Sequence, residues 1–361
     1  MCRKAAKTFA TSRIPPLNNR PRNVILAGKR YIMSVKDEVL KYLEETRGEF
    51  VSGGALAARL GVSRNAIWKA IKALETEGYA IEAVTNRGYR MCPENDILSS
   101  FGVKKYLNDQ NRDFDIIVEK KITSTNKVLK ELAEQGAREG TIIIAGEQSE
   151  GRGRYERSFY SPPEGGIYMS ILLRPEMTAA ESLFLTTAAA VAVAASVDEI
   201  SGEKSRIKWV NDIFLNGKKI CGILTEASLN LENNSLAYAV VGIGINVKEP
   251  AGGFPPEISD VAGAIFKNDD PRAAADTRCR LAAEIINRFL GYCRNMKAKT
   301  FLREYKRRSM LMGRTVNVFD NVSGTSVPAF VLDIDDDCRL KVKFDDGTIK
   351  YLSSGEVSVR I

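Results

Sequence analysis

The chain has 361 residues, 53 Lys+Arg against 45 Asp+Glu, a formal net charge of +8, 44% hydrophobic residues and no histidine. That length holds two or three domains with cores of their own, at the charged and apolar fractions of a soluble globular protein. The missing histidine excludes every histidine general base, every Ser-His or Cys-His nucleophile pair and every imidazole metal site. Catalysis falls to Lys, Arg, carboxylates, backbone amides or a carboxylate-held metal ion.

Residues 1–32 carry Arg3, Lys4, Lys7, Arg13, Arg20, Arg22, Lys29 and Arg30 and no acid, so the leader accounts for the whole positive excess. With Pro15, Pro16 and Pro21 and little apolar periodicity, it reads as a disordered basic leader or as sequence ahead of a misassigned start, with Met33 the natural beginning of folded sequence. From there, Val35, Val39 and Leu43 form one helical stripe. Ala55, Leu56 and Leu60 form a second, stopped by Gly61, and Ser63 caps a third whose Ile67, Ile71 and Leu74 share a face.

This spacing predicts a helix-turn-helix. The opposite face of the third helix carries Asn65, Lys69, Lys72 and Thr76, with Arg64 at its start, all donors suited to phosphates and base edges. Tyr79 to Met91 alternates around Asn86-Arg87-Gly88 as a hairpin, adding a basic wing from Arg87 and Arg90. Residues 33–93 are therefore expected to be a winged helix-turn-helix that binds DNA. The near-neutral local charge also suits a small protein-interaction module with a solvated helix face.

Residues 92–96, CPEND, break the pattern, and 97–310 reads as a long α/β domain. Ser124-Thr125-Asn126 precedes the helix Lys127 to Gln135, where capping and ligand binding at the helix start are compatible. The strand Thr141 to Glu147 leads into Gly146 to Gly166, a stretch without secondary-structure signal that points to a functional or disordered loop. Inside it, Gly151-Arg152-Gly153-Arg154 combines accessible backbone amides with guanidiniums, equipment for holding phosphate or carboxylate oxygens.

Leu183 to Val197, the longest apolar stretch, falls short of a membrane span and reads as a buried core helix. Lys208-Trp209-Val210-Asn211-Asp212 ends a short strand, and Asn216-Gly217 turns the chain into Lys219 to Ala227 as a hairpin. Lys208, at the mouth of the sheet, would neutralise two anions brought together. Asn211 and Asp212 are either turn residues or oxygen ligands for Mg2+. Val240 to Val247 is a strand with Gly242 and Gly244 inside it, which suggests a close approach to the backbone.

Beyond Met310, the runs Thr315 to Phe319, Ala329 to Ile334, Leu340 to Phe344 and Thr348 to Leu352 predict a small β-barrel over 311–361. Cys2, Cys92, Cys221, Cys279, Cys293 and Cys338 are scattered without paired spacing, as free thiols in a reducing cytosol would be.

Four segments in order, STN at 124–126, GEQSEGRGR at 146–154, KWVND with CGIL at 208–224, and GIGIN at 242–246, resemble the biotin protein ligases. With the helix-turn-helix, the chain is similar to the bifunctional bacterial form that is also the biotin operon repressor. The resemblance covers residues 33–361. It implies an α+β protein: a winged helix-turn-helix, a central mixed α/β domain of the biotin/lipoate ligase type, and an SH3-like C-terminal barrel. It also implies a two-step reaction in which biotin and ATP give biotinyl-5'-AMP, and a lysine of a biotin carboxyl carrier domain then takes the biotinyl group.

Carried over by motif, Ser124, Thr125, Asn126, Gln148, Arg152, Gly153, Arg154 and Lys208 would line the biotin and adenylate site, with Lys208, Arg152 and Arg154 catalytic. Gly242 and Gly244 would admit biotin's ring, Phe159, Asn211, Asp212 and Asn246 would meet the nucleotide, and Asp212 would be the contact for Mg2+. Arg64, Asn65, Lys69, Lys72 and Arg87 would meet operator DNA. The implied protein is cytoplasmic, touches no membrane, uses biotin as substrate and effector, and forms a homodimer when adenylate is bound.

Three positions depart from the family pattern: Val210 where proline is common, Tyr155 where a basic residue is frequent, and Phe159 in place of tryptophan. Two rivals stand beside this reading. A lipoate ligase shares the adenylation logic, but its motif histidine is impossible here. A non-catalytic biotin-sensing regulator is opposed by intact Lys208, Arg152 and Arg154.

Overall fold

The computed structural model describes residues 33–361 apart from 164, 231–234, 274–275, 321–324, 354–355 and 359–361, together with two short strands ahead of them. These strands, β1 (Val24–Leu26) and β2 (Lys29–Tyr31), pair antiparallel. The rest of the leader assigned to 1–32 lies outside the described residues.

The first domain forms as its apolar spacing predicts. Helix α1 (Val35–Glu45) opens with a reciprocal capping box between Ser34 and Asp37. Helix α2 (Gly53–Leu60) ends at Gly61 with φ +66°, the left-handed conformation in which glycine stops a helix cheaply. Helix α3 (Arg64–Thr76) is capped by Ser63 and buries Ile67, Ala70, Ile71 and Leu74. The wing is β3 (Ile81–Val84) with β4 (Gly88–Met91), and Val51 and Tyr89 exchange two 2.9 Å backbone hydrogen bonds beside it. These elements close over an apolar core separate from that of the rest of the chain. The junction to the next domain is polar: buried Glu44 pairs with Arg47 at 2.6 Å and accepts from Ser99, and Arg47 donates to the Asn95 carbonyl at 2.6 Å.

The central domain starts with α4 (Ser100–Lys104) and runs through β5 (Ile116–Glu119), α5 (Thr125–Glu134), β6 (Ile142–Ala145) and β7 (Gly166–Leu173). It continues with α6 (Ser182–Ser201), β8 (Arg206–Lys208), β9 (Asp212–Leu215), β10 (Lys218–Asn230) and β11 (Ser235–Asn246). Helices α7 (Pro256–Ser259), α8 (Thr277–Cys293) and α9 (Leu302–Arg308) complete it. The seven strands lie in the order β5-β6-β7-β11-β10-β9-β8, antiparallel except for the parallel β5–β6 pair.

Helix α6 is, among the described residues, the one long and apolar enough to cross a membrane, and it is mostly buried inside this domain, as the reading of Leu183 to Val197 as a core helix expects. The opposite face of the sheet is only partly covered. Helix α5 packs Leu129 and Ala133 on Ile143, Leu172 and Val240. It is 10 residues long, about 15 Å at the helical rise, and so reaches along only part of the strands. Side chains alternate along a strand, so beyond those apolar contacts the same face carries Ser170 and Gly242, met by Thr125 and Asn126 at the start of α5, and then Tyr168, Gly244, Gly222 and Leu224.

The C-terminal strands β12 (Thr315–Asp320), β13 (Thr325–Ile334), β14 (Leu340–Phe344), β15 (Ile349–Leu352) and β16 (Glu356–Ser358) form one antiparallel sheet in the order β15-β14-β13-β12-β16. Three of them match the predicted runs to within a residue, β13 starts four residues earlier than its run, and β16 adds to them. Their inward residues, among them Val316, Val331 and Leu340, are continuous with the central core.

Candidate active site

Over the uncovered face lies a cavity of about 480 Å³. Its walls bring together Ser124, Thr125 and Asn126 at the start of α5, Gln148, Arg152, Gly153, Arg154 and Phe159 from the loop after β6, Lys208 at the end of β8, Asn211 and Asp212, and Gly242 and Gly244. Of the candidate ligand-binding residues, Asn246 stands apart. It lies one strand repeat beyond Gly244, outside the lining, and its amide donates to the Gly263 carbonyl at 2.9 Å.

The start of α5 is held by the loop rather than by its own cap. The Ser124 side chain makes no capping bond. Instead, Gln148 Oε1 accepts from the Thr125 amide at 2.8 Å and from its hydroxyl at 3.1 Å, while Gln148 Nε2 donates to Ser161 Oγ at 3.0 Å. Buried Asn126 is fully engaged: its amide donates to Glu226 Oε2 at 2.9 Å and the Leu224 carbonyl at 3.2 Å, and its Oδ1 accepts from Ser170 at 2.6 Å. Burial pushes the Glu226 carboxyl up. The hydrogen bonds from Lys130 and Asn126, with the charges of Lys130 and Arg152, outweigh that and hold it below the ordinary range.

The loop at 146–166 has more order than its composition suggests. The Gly153 amide donates to the Arg157 carbonyl at 2.7 Å and the Phe159 amide to the Gly151 carbonyl at 2.9 Å, making a narrow hairpin. Glycine is required at 151, where a Cβ would stand 2.3 Å from the Phe159 carbonyl oxygen. The hairpin lays the Phe159 ring on β10 and β11. There Gly222 and Gly244 are cross-strand partners, and a Cβ on either would meet the ring at 3.2 and 2.6 Å. Tyr168, next in the same row, meets Phe159 edge-on with centroids 6.4 Å apart. The groups lying over the two strand glycines expected to admit a ligand are thus the chain's own: Asn126 over Gly242 and Phe159 over Gly244.

Five cationic side chains, Arg152, Arg154, Arg157, Lys208 and Lys219, line the cavity against one carboxylate, Asp212. Such an imbalance in a concave site concentrates anions. Asp212 pairs with Lys219 at 2.7 Å and stands opposite Lys208 in the β8–β9 register. Asn211 donates to the Ile223 carbonyl at 2.9 Å and accepts from Arg154 at 3.4 Å. The Lys208 segment is braced from behind, since Trp209 Nε1 donates to the Cys338 carbonyl at 3.0 Å and the Tyr305 hydroxyl to the Val210 carbonyl at 2.9 Å. No cluster of three metal-ligating side chains occurs among the described residues.

Lys219 and Gly222 are not among the site residues that the motifs single out, although the lysine follows the Asn-Gly turn and the glycine interrupts a strand. Phe319 and Ser326, which also line the cavity, are cross-strand partners on β12 and β13, and no local pattern connects them to it.

On the first domain, Asn65, Lys69 and Lys72 are exposed along α3, with Lys72 paired to Glu75 at 2.6 Å. Arg64 packs over Gly54. Arg87 stacks on the Phe50 ring at 4.1 Å, and Arg90 is neutralised by Glu82 at 2.6 Å, which leaves the wing less basic than its composition suggests.

Comparison with known proteins places these features in a class. The biotin/lipoate A/B protein ligase family matches residues 118–246, a helix-turn-helix domain matches 36–90, and the biotin protein ligase C-terminal domain matches 312–360. The chain is 38% identical over 232 residues to the bifunctional ligase/repressor BirA of Bacillus spizizenii, covering 64% of this chain and 71% of that one. It is 32% identical over 200 residues to its counterpart in Escherichia coli, covering 55% and 60%. The biotin protein ligase of Aquifex aeolicus, solved with biotin and ATP, superimposes with a TM-score of 0.55 at 26% identity, covering 68% of this chain and 98% of that one. The chain belongs to the biotin protein ligase family, in its bifunctional ligase/repressor branch.

Proposed function

We propose that the chain activates biotin with ATP, transfers it to a lysine of a biotin carboxyl carrier domain, and represses transcription when biotin is plentiful. The observation that carries the enzymatic part is the convergence of Arg152, Arg154, Lys208 and Lys219 on one cavity floored by Gly222, Gly242 and Gly244.

In the first step a biotin carboxylate oxygen forms a bond to the α-phosphorus of ATP. The bond from that phosphorus to the bridging oxygen breaks, and pyrophosphate leaves with the electron pair. Like charge opposes this encounter, and cations already in place lower its barrier. Lys208, on a braced strand end, sits between the two anions; Arg152 and Arg154 hold the adenylate from the loop; Lys219 draws the leaving pyrophosphate. A magnesium ion carried on the phosphates of ATP would spread their charge; Asp212, the lining carboxylate, would hold it on release from Lys219. In the second step the neutral amine of the acceptor lysine attacks the carbonyl of the mixed anhydride. AMP leaves, the amide forms and one proton is released. Incubating the chain with ATP, biotin and a carrier domain should add one biotinyl group to one lysine, read by mass; an unchanged mass contradicts the assignment.

Phe159 is the platform for the adenine, placed on the Gly222–Gly244 pair. Phe159→Ala should raise the KM for ATP by roughly three- to tenfold, with Phe159→Trp close to the parent chain. A steady-state ATP titration checks this.

For regulation, bound adenylate orders the glycine-arginine loop and favours a homodimer that offers two helix-turn-helix units to a two-fold operator. A gel-shift titration in which biotin plus ATP leaves operator affinity unchanged contradicts it. A cytoplasmic location is supported by the free thiols at Cys92, Cys221, Cys279, Cys293 and Cys338.

A further inference from the structure

The reading of α3 as a DNA-facing helix rests on its hydrogen-bonding side chains, yet the largest side chain on that face is apolar. Trp68 is 49% exposed. A single exposed apolar residue usually needs no explanation, and its position is what distinguishes this one. Successive residues turn about 100° around a helix. With Ile67, Ile71 and Leu74 directed into the core, Trp68 falls midway between Arg64 and Lys72, with Asn65 and Lys69 beside it. It stands at the flank of the exposed face, on the side of Arg64 and Glu75, next to the row of Asn65, Lys69 and Lys72.

We propose that Trp68 is the apolar anchor of the recognition helix, meeting the C5-methyl of a thymine in the major groove while its neighbours bind base edges and phosphates. The proposal rests on the DNA-binding reading of this domain. Charge favours duplex DNA as the occupant of the face, because Arg64 and Lys69, with Lys72 shared with Glu75, leave a net positive rim beside an indole, which suits a polyanion whose groove carries methyl groups. Glu75, the nearby acid on the helix, is already paired with Lys72. The indole contributes no charge, so its part in binding is separable from theirs.

The full-length chain, with biotin and ATP, is first used to select duplexes from a random pool, and affinities are then measured by anisotropy over a range of salt. Trp68→Ala should weaken binding to the selected duplex by about tenfold and leave the slope of affinity against salt unchanged. Lys69→Ala should reduce that slope by about one. Replacing the contacted thymine by deoxyuridine, which lacks only the methyl, should weaken binding by the parent chain and have no further effect on Trp68→Ala.

The chain has two tryptophans, and the other, Trp209, is buried. A change in emission on adding the selected duplex should therefore be lost in Trp68→Phe. Because Trp68 lies outside the domain core, Trp68→Ala should keep full ligase activity as a check of folding. Unchanged affinity of Trp68→Ala, or indifference of the parent chain to deoxyuridine, overturns the proposal while the DNA-binding reading stands. Failure of the parent chain to retain any duplex overturns both.

Discussion

Lys208→Ala should lower biotin-dependent pyrophosphate release by about 10²- to 10³-fold, the loss typical when a fixed charge-stabilising group is removed from a reaction centre. The other cations of the cavity cannot take its place. Arg152 and Arg154 sit on the hairpin loop, and Lys219, beside Asp212 at 2.7 Å, serves the leaving pyrophosphate. Lys208 ends a strand whose continuation is fastened by Trp209 to Cys338 and by Tyr305 to Val210. The backbone that carries Lys208 is fixed before substrates arrive, so the loss should appear in kcat more than in KM. An unchanged melting temperature would show that the fold survives. A loss below tenfold would transfer the role to the arginines.

Gly242→Ala should destabilise the central domain and abolish tight biotin binding. A Cβ at 242 would stand 2.2 Å from Asn126 Oδ1 and 2.8 Å from its Cγ. Asn126 cannot step aside without giving up its bonds to Glu226, Leu224 and Ser170. Relief requires either lifting α5 from the sheet or leaving those buried groups unpaired. Overpacking costs about 1–3 kcal/mol, and each orphaned buried polar group about as much again. Gly291→Ala on α8 is the control, since a Cβ there meets nothing within 4 Å. Thermal melts and biotin calorimetry on the pair test the account, and a Gly242→Ala chain matching Gly291→Ala in both contradicts it.

The sequence was most legible where structure is local. The stripes Ile67-Ile71-Leu74 and Val35-Val39-Leu43, the stop at Gly61 and the turn at Asn216-Gly217 each depend on residues a few positions apart. The segments STN, GRGR, KWVND and GIGIN could be found singly, and their order identified the family; the sheet register then explained why they meet. Gly222 lies opposite Gly244 and Gly244 opposite Tyr168 because β7, β11 and β10 are neighbours, a pairing that spacing along the chain does not encode.

The same holds for Gln148 reaching across to Thr125, and for Phe319 and Ser326 entering the cavity from the C-terminal sheet. The loop at 146–166 reads in the sequence as a functional or disordered loop, and its hairpin is not legible there because the hydrogen bonds pair residues without apolar alternation. Trp68 falls between the apolar stripe and the donor face by which α3 is legible in the sequence, and belongs to neither. Asn246 was drawn to the nucleotide by its motif, whereas its amide is spent on Gly263.

Adenylation of biotin in a cavity without histidine is the step on which both activities depend. The most direct test is pyrophosphate release by the full-length chain with ATP and biotin in the absence of any carrier domain, with lipoate in parallel. A biotin-dependent burst of one pyrophosphate per active site is expected, because the adenylate stays bound until a lysine arrives, and no burst with lipoate. Tight biotin binding without release, or an equal burst with lipoate, would contradict it.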